Sequence, residues 1–241
     1  MKAVVLLSAG RHPVSLHPAL PRTEAQAIRL ALSLGADLTG LHIGPDATTV
    51  AQAFGHGLPR LVHVAAEDGV DPVAEIAALA DVRAAGLILA GPRTQGGEET
   101  GLVPYAVAHA LGLPIVADAV SIVPGAVAGQ LVIDQARPRG ARRRFTVAGP
   151  VVVTVSPRAA APLPFAHARF AAGRAARRAA GTVPAATATP LSEGPHRHRP
   201  KLIVTADGGG DHRLMTGPTP EEAARAILDH LAAIGHGPGR R

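Results

Sequence analysis

Between residues 3 and 90, short aliphatic runs alternate with segments of helical periodicity, and that rhythm leaves few folds open. Ala3 to Leu7, Leu38 to Ile43, Leu61 to Val64 and Leu87 to Ala90 have strand length. Glu24 to Leu34, Thr49 to Phe54 and Val73 to Ala84 lie between them with apolar residues at helical spacing. Aliphatic strands separated by helices predict βαβ units and a parallel sheet. The punctuation agrees. Gly35 can close the first helix, Asp71-Pro72 can open the third, and Gly112-Leu113-Pro114 ends a fourth, Leu102 to Leu111. Of the 241 residues 47% are hydrophobic but only 2% aromatic, so the core must be packed from small aliphatic side chains.

After Pro114 the rhythm changes. Ile115 to Val123, Gln130 to Ala136, Arg142 to Val147 and Val151 to Val155 have strand character without intervening helices, which predicts an antiparallel addition to the sheet. From Ser156 to Pro200 the chain is rich in Pro, Ala and Arg, and an extended arm is expected, with a helical turn around Arg169 to Arg178. Thr219-Pro220-Glu221-Glu222 is a capping box with proline at the first helical position. Ala224, Ile227, Leu228, Leu231 and Ile234 then fall on one face before Gly235. The expected division is an α/β domain over 1–155, followed over 156–241 by an arm, a basic segment and an amphipathic helix. That helix must rest on this chain's own sheet or on a partner.

Composition narrows the function. Cysteine is absent, so disulfides, thiolate metal sites and a thiol nucleophile are excluded, and redox chemistry would need a cofactor. Arg11 and His12 cut the first apolar run short of a secretory signal, and no stretch approaches the ~18 apolar residues of a membrane span. A cytoplasmic chain without membrane insertion is therefore expected. Lys and Arg number 24 against 18 Asp and Glu, and the excess gathers in Arg137 to Arg144 and Arg169 to Arg178, which favours an acidic partner. Only Phe145 and Phe170 lie in or beside these runs, a poor platform for stacking bases, so no nucleic acid partner is expected.

The most informative stretch is Gly91-Pro92-Arg93-Thr94-Gln95-Gly96-Gly97-Glu98-Glu99-Thr100-Gly101-Leu102-Val103-Pro104, a glycine-rich loop between a strand and a helix start. Glycines let the backbone approach a ligand, and unpaired N–H groups around Thr100 to Val103 favour a phosphate. An ordinary strand-to-helix loop looks much the same, and Glu98 and Glu99 oppose an anion unless they point away. Spacing alone leaves both readings open.

Leu87-Ile88-Leu89-Ala90-Gly91, the loop ending in Thr100-Gly101, and Ala110-Leu111-Gly112-Leu113-Pro114-Ile115-Val116 resemble the central signature of electron transfer flavoprotein beta subunits. The likeness extends through Thr23 to Leu34, Leu41 to Gly44, Gly149-Pro150-Val151-Val152-Val153-Thr154-Val155, the basic Arg174 to Arg178 and the capped helix. It implies a flavodoxin-like, adenine nucleotide hydrolase-like α/β fold. It also implies a heterodimer with an alpha subunit, a structural AMP in this subunit, and an FAD shared with alpha. Such a chain is a scaffold for electron transport and has no catalytic residues of its own. Electrons would pass from primary flavin dehydrogenases to a membrane quinone oxidoreductase and the respiratory chain.

Carried over by motif, the AMP contacts are Leu6, His17, Pro18, Ala19, Leu20, Ile43 and the stretch Gly91 to Pro104. Ser8-Ala9-Gly10-Arg11-His12-Pro13 replaces the family's usual Val-Lys-rich segment, which makes His12 the flavin-facing candidate. This opening resembles beta subunits associated with oxidation of dimethylglycine or sarcosine. The family's recognition loop corresponds to Arg158 through Arg174, with Leu163 or Phe165 as apolar anchor. The loop before Thr100 is shorter than usual and lacks the family's run of aspartates.

Other constellations are weaker. His196 and His198 lack a third metal ligand at sensible spacing, and Asp207 to His212 lacks the spaced acids of a calcium loop, so no metal is assigned. Ser8, His12 and Asp37 lack the Gly-x-Ser-x-Gly elbow of a hydrolase. Two rivals stay open: a stand-alone adenine-nucleotide sensor of universal-stress type, and a nucleic-acid binder using the arginine runs.

Overall fold

Val4, Val5 and Leu6 are buried one after another, as a strand covered on both faces requires. The computed structural model describes residues 1–12, 14–67, 70–93, 100–175, 178–182 and 215–235, with the backbone alone at 175 and 178–182. The first strand, β1 (Lys2–Leu6), leads into a hairpin of β2 (Gly10–Arg11) and β3 (Pro18–Ala19). Then come α1 (Arg22–Ser33), β4 (Asp37–Gly44), α2 (Gln52–Gly55), β5 (Leu61–Ala65), α3 (Val73–Ala78), α4 (Ala80–Arg83), β6 (Leu87–Ala90) and α5 (Val103–Leu111). They are followed by β7 (Ile115–Pro124), β8 (Gln130–Ala136), β9 (Arg142–Ala148), β10 (Val151–Val155), α6 (His167–Ala175), β11 (Arg178–Thr182) and α7 (Pro220–Ala233).

Among the described residues nine strands form one sheet in the order β11-β5-β4-β1-β6-β10-β7-β8-β9. Neighbours from β11 to β7 run parallel, while β8 and β9 continue the sheet antiparallel. This is the expected α/β architecture with its antiparallel extension. Ala3, Val5 and Leu7 share one core with Ile28 of α1 and Phe54 of α2. Val4 and Leu6 share the other with Ile76 of α3, Val82 of α4 and Val107 of α5. Side chains alternating across the strands explain this two-sided core.

Three details depart from the sequence reading. The helix expected over Val73 to Ala84 is broken at Leu79, whose backbone is extended (φ −68°, ψ 132°), so it forms α3 and α4. Within the four strands expected as an antiparallel addition, β10 returns to the middle of the sheet, parallel to β6 and β7. After Ser156 the helical turn expected around Arg169 to Arg178 is the longer α6, and the chain then forms an unexpected strand, β11, which pairs with β5 at the sheet edge.

That segment is tied down by polar side chains. Gln26 Nε2 donates to the carbonyls of Pro157, Ala159 and Ala160, Arg29 Nη1 donates to Ala161 O, and His56 Nδ1 meets Leu163 O at 2.8 Å.

The chain divides into two compact units, Met1–Glu193 and Gly194–Arg241. The second contributes α7, whose capping box forms as expected. Thr219 N donates to Glu222 Oε2 at 2.9 Å, and Glu222 N donates to Thr219 Oγ1 at 3.3 Å. Ile227 and Leu228 on α7 and Ile234 just past its end are exposed.

Candidate functional site

Connections from β1 run outward through β4 to β5, whereas β6 lies on the other side of β1. The sheet therefore reverses direction between β1 and β6, and a doubly wound sheet opens a ligand crevice at the carboxyl ends of such strands. Leu6 pairs with Leu41, and Val5 with Leu89. Leu7, Ile43 and Gly91 consequently emerge at the same edge. Leu6 is buried, Ile43 half-buried and Gly91 buried.

The Gly91 turn is closely packed. A Cβ on Gly91 would lie 3.0 Å from Thr23 Oγ1, 3.3 Å from the Arg93 carbonyl and 3.5 Å from Glu24 Cγ. Gly101 has φ +70°, and a Cβ there would stand 2.7 Å from the Pro92 carbonyl, so glycine is required on both counts. Beyond it α5 begins, with proline at Pro104. Leu102 N donates to Thr100 Oγ1, and among the described residues no side chain caps the helix. The first-turn amides of Val103 and Tyr105 have no intrahelical acceptor, a donor set suited to an anion. Leu102 and Tyr105 are exposed at this end. Thr94, Gln95, Gly96, Gly97, Glu98 and Glu99 lie outside the described residues, as do Pro13, Arg177, His196, His198 and the stretch Asp207 to His212.

His12, His17, Pro18, Ala19 and Leu20 sit on the hairpin between β1 and α1. His12 N donates to His17 O at 2.8 Å, and His12 Nδ1 accepts from Ser15 N at 3.2 Å. That nitrogen is thus used by the turn itself. Leu20 N donates to Gln52 Oε1, fastening the hairpin to α2. Among the described residues no hydrogen bond or ring contact joins His12 or His17 to the Gly91 turn, while the sheet register brings Leu6, Ile43 and Gly91 to one edge. Ser8, His12 and Asp37 do not converge, because Asp37 pairs with Arg60 at the opposite, amino end of the sheet while Ser8 is bound to Glu24. No group of three His, Asp or Glu suited to a metal occurs among the described residues.

Sequence reasoning missed three buried polar side chains under this edge. Glu24 is 2% exposed, and its carboxyl accepts Ser8 N at 2.9 Å and meets Ser8 Oγ at 2.5 Å. Burial without a neighbouring cation pushes its pKa up to about 8. His42 places Nδ1 2.9 Å from the Leu7 carbonyl and Nε2 3.0 Å from the Asp46 carbonyl, and burial lowers its pKa. His63 stacks on it at 5.6 Å and meets the Gly44 carbonyl. Gln26 is the third, holding the strand-exit segment as described above. The only sequence signal was a polar residue at a core-facing position.

Comparison with known proteins places these features in context. The electron transfer flavoprotein domain matches residues 15–191. An electron transfer flavoprotein subunit beta from Chromohalobacter salexigens is 30% identical over 260 residues, covering 96% of this chain and 94% of that protein.

Proposed function

The chain belongs to the electron transfer flavoprotein family, as a beta-subunit-type member, and from that footing we propose that it pairs with an alpha subunit, holds an AMP and shares an FAD. The observation that carries the reading is the convergence of the β1/β6 switch point with the amino end of α5, of which β6 and α5 lie inside the stretch matched by the family. The residues fit a nucleotide. Val103 and Tyr105 amides and the Thr100 hydroxyl would hold its phosphate, Gly91 and Gly101 would let the backbone come close, and Leu6 and Ile43 would bracket its adenosine part.

The FAD would supply the capacity to take up and release electrons. This chain's own contribution would be to position and enclose, with the hairpin carrying His12 as one wall. Residues from 156 onward, the proposed second region, would supply the arm over Arg158 to Arg174 and the capped helix. Along the arm Phe165 is exposed and rests edge-on against His56, which leaves it available as the anchor for a donor dehydrogenase of dimethylglycine or sarcosine type. A quinone oxidoreductase in the membrane would accept the electrons. Among the described residues no helix is long and apolar enough to cross a membrane.

Coexpression with the alpha chain of the same organism should yield a yellow complex that releases FAD and AMP in equal amounts, identified by mass spectrometry after denaturation. A complex that releases FAD without AMP would remove the nucleotide role from this chain. Failure of the two chains to associate would remove the heterodimer.

A further inference from the structure

We propose that Glu24 is a positioning residue which, by holding its own proton, turns the Ser8 hydroxyl into a hydrogen-bond donor toward an oxygen acceptor of the nucleotide in the β1/β6 crevice. The proposal rests on the nucleotide reading above. Ser8 is half-buried at the carboxyl edge of β1, and the Glu24 side chain reaches the Gly91 turn, its Cγ standing 3.5 Å from where a Cβ on Gly91 would lie. The pair can be wired in two ways. An ionised carboxylate only accepts, so it takes the single Ser8 proton and leaves lone pairs facing outward. A protonated carboxyl donates to Ser8 Oγ, and the serine proton is then free for the ligand.

The surroundings decide between them. Of the strands packed against α1, β6 and β10 carry no ionisable side chain. β1 and β4 carry Lys2 and Asp37 at their far, amino ends. His42 of β4 is engaged by the Leu7 and Asp46 carbonyls. On α1 itself Arg22 is exposed and Arg29 binds Ala161 O, while in the segment held against α1 Arg158 binds Arg137 O. Arg93, exposed beyond Gly91, makes no ion pair with Glu24 among the described residues. With no cation among the described residues to favour the charged form, burial holds the proton on Glu24 up to about pH 8. The neutral acid also places no negative charge under an anionic ligand.

The test is calorimetric titration of AMP into the purified full-length protein from pH 7 to 9.5, where the AMP phosphate is already dianionic. Wild-type affinity should fall roughly five- to tenfold as pH passes 8, the worth of one hydrogen bond. Glu24→Gln, whose amide N–H donates to Ser8 as the acid does, should bind with undiminished affinity across the range. Ser8→Ala should bind at the weaker, alkaline level throughout. The thermal midpoint of the ligand-free wild type should also fall as pH rises through 8, since a raised carboxyl pKa stabilises the fold below that value and not above it. Glu24→Gln should abolish that fall. A flat wild-type AMP titration, a pH dependence of AMP affinity that survives in either variant, or a thermal-midpoint slope that survives in Glu24→Gln would overturn the proposal. Should Glu24→Gln not fold, the Ser8→Ala profile alone decides. Absence of AMP binding by all three proteins at every pH would instead refute the nucleotide reading on which the proposal stands.

Discussion

His42 poses a proton problem that a single side chain must solve. Both of its ring nitrogens face carbonyl oxygens, but a neutral imidazole has one N–H, so only the imidazolium could satisfy both contacts. Burial and the stacked His63 oppose that charge, and Asp46 favours it, with burial the largest influence. The folded pKa lies below the ordinary 6.5, so the stability His42 confers is in place above pH 6.5 and is lost as pH falls through the folded value. Glu24 acts in the opposite sense over an overlapping window, so the comparison belongs in the Glu24→Gln background. There the thermal midpoint should drop on acidification from pH 7 to 5, and His42→Gln should flatten the drop; an unchanged acid limb would show that His42 does not titrate in this range. Neither residue was legible in advance. Glu24 stands in the first turn of α1, where an acid ordinarily complements the helix dipole from the surface, and His42 interrupts an aliphatic strand as an outward-facing polar residue would. Burial at such positions depends on which segments come to lie over them, here Ser8 and the exit from β4.

At the scale of elements, α2 packs so closely against α6 and the residues just before it that two glycines stand where a Cβ would meet a ring. A Cβ on Gly173 would stand 2.2 Å from the Phe54 ring, and one on Gly55 would stand 2.1 Å from the Phe165 ring. Phe54 is fully buried and cannot yield, whereas Phe165 is half exposed. Gly173→Ala should therefore cost about 1–3 kcal/mol, the usual penalty for overpacking, and Gly55→Ala less, because the Phe165 ring can swing toward solvent. Urea denaturation of both variants would measure the order, and equal losses would contradict it. The strands β1, β4, β5 and β6 were readable from aliphatic runs, and α7 from its capping box, because their signals are local. The helix α6 was legible in part, as the turn expected around Arg169 to Arg178, and strand β11 was not. Arg178 to Thr182, a run of arginine, small residues and threonine, carries no strand pattern of its own, and it is held by the parallel ladder that the edge of β5 offers.

For the molecule as a whole, the apolar core formed by the described residues ends at Ala159. Every buried hydrophobic side chain among the described residues lies between Ala3 and Ala159. The alternation of elements announced a parallel sheet, but strand order is a matter of long-range pairing, and the one local sign separating β10, which enters the centre, from β8 and β9, which extend the edge, is its unbroken Val151-Val152-Val153 run against their charged residues. The same sheet order sets what can be removed. A chain ending at Glu193 keeps the first compact unit complete, including the polar ties from Gln26, Arg29 and His56 and the β11 ladder. It should unfold in one cooperative step within a few degrees of the full-length midpoint, since roughly 1 kcal/mol corresponds to 2–4 °C in a domain of this size. A chain ending at Ala175 loses β11 and bares the backbone donors and acceptors along β5, which should lower the midpoint further and favour edge-to-edge association. Scanning calorimetry with light scattering would compare the three chains. A broad, non-cooperative transition in the chain ending at Glu193 would mean that the last 48 residues are needed for the sheet itself to fold.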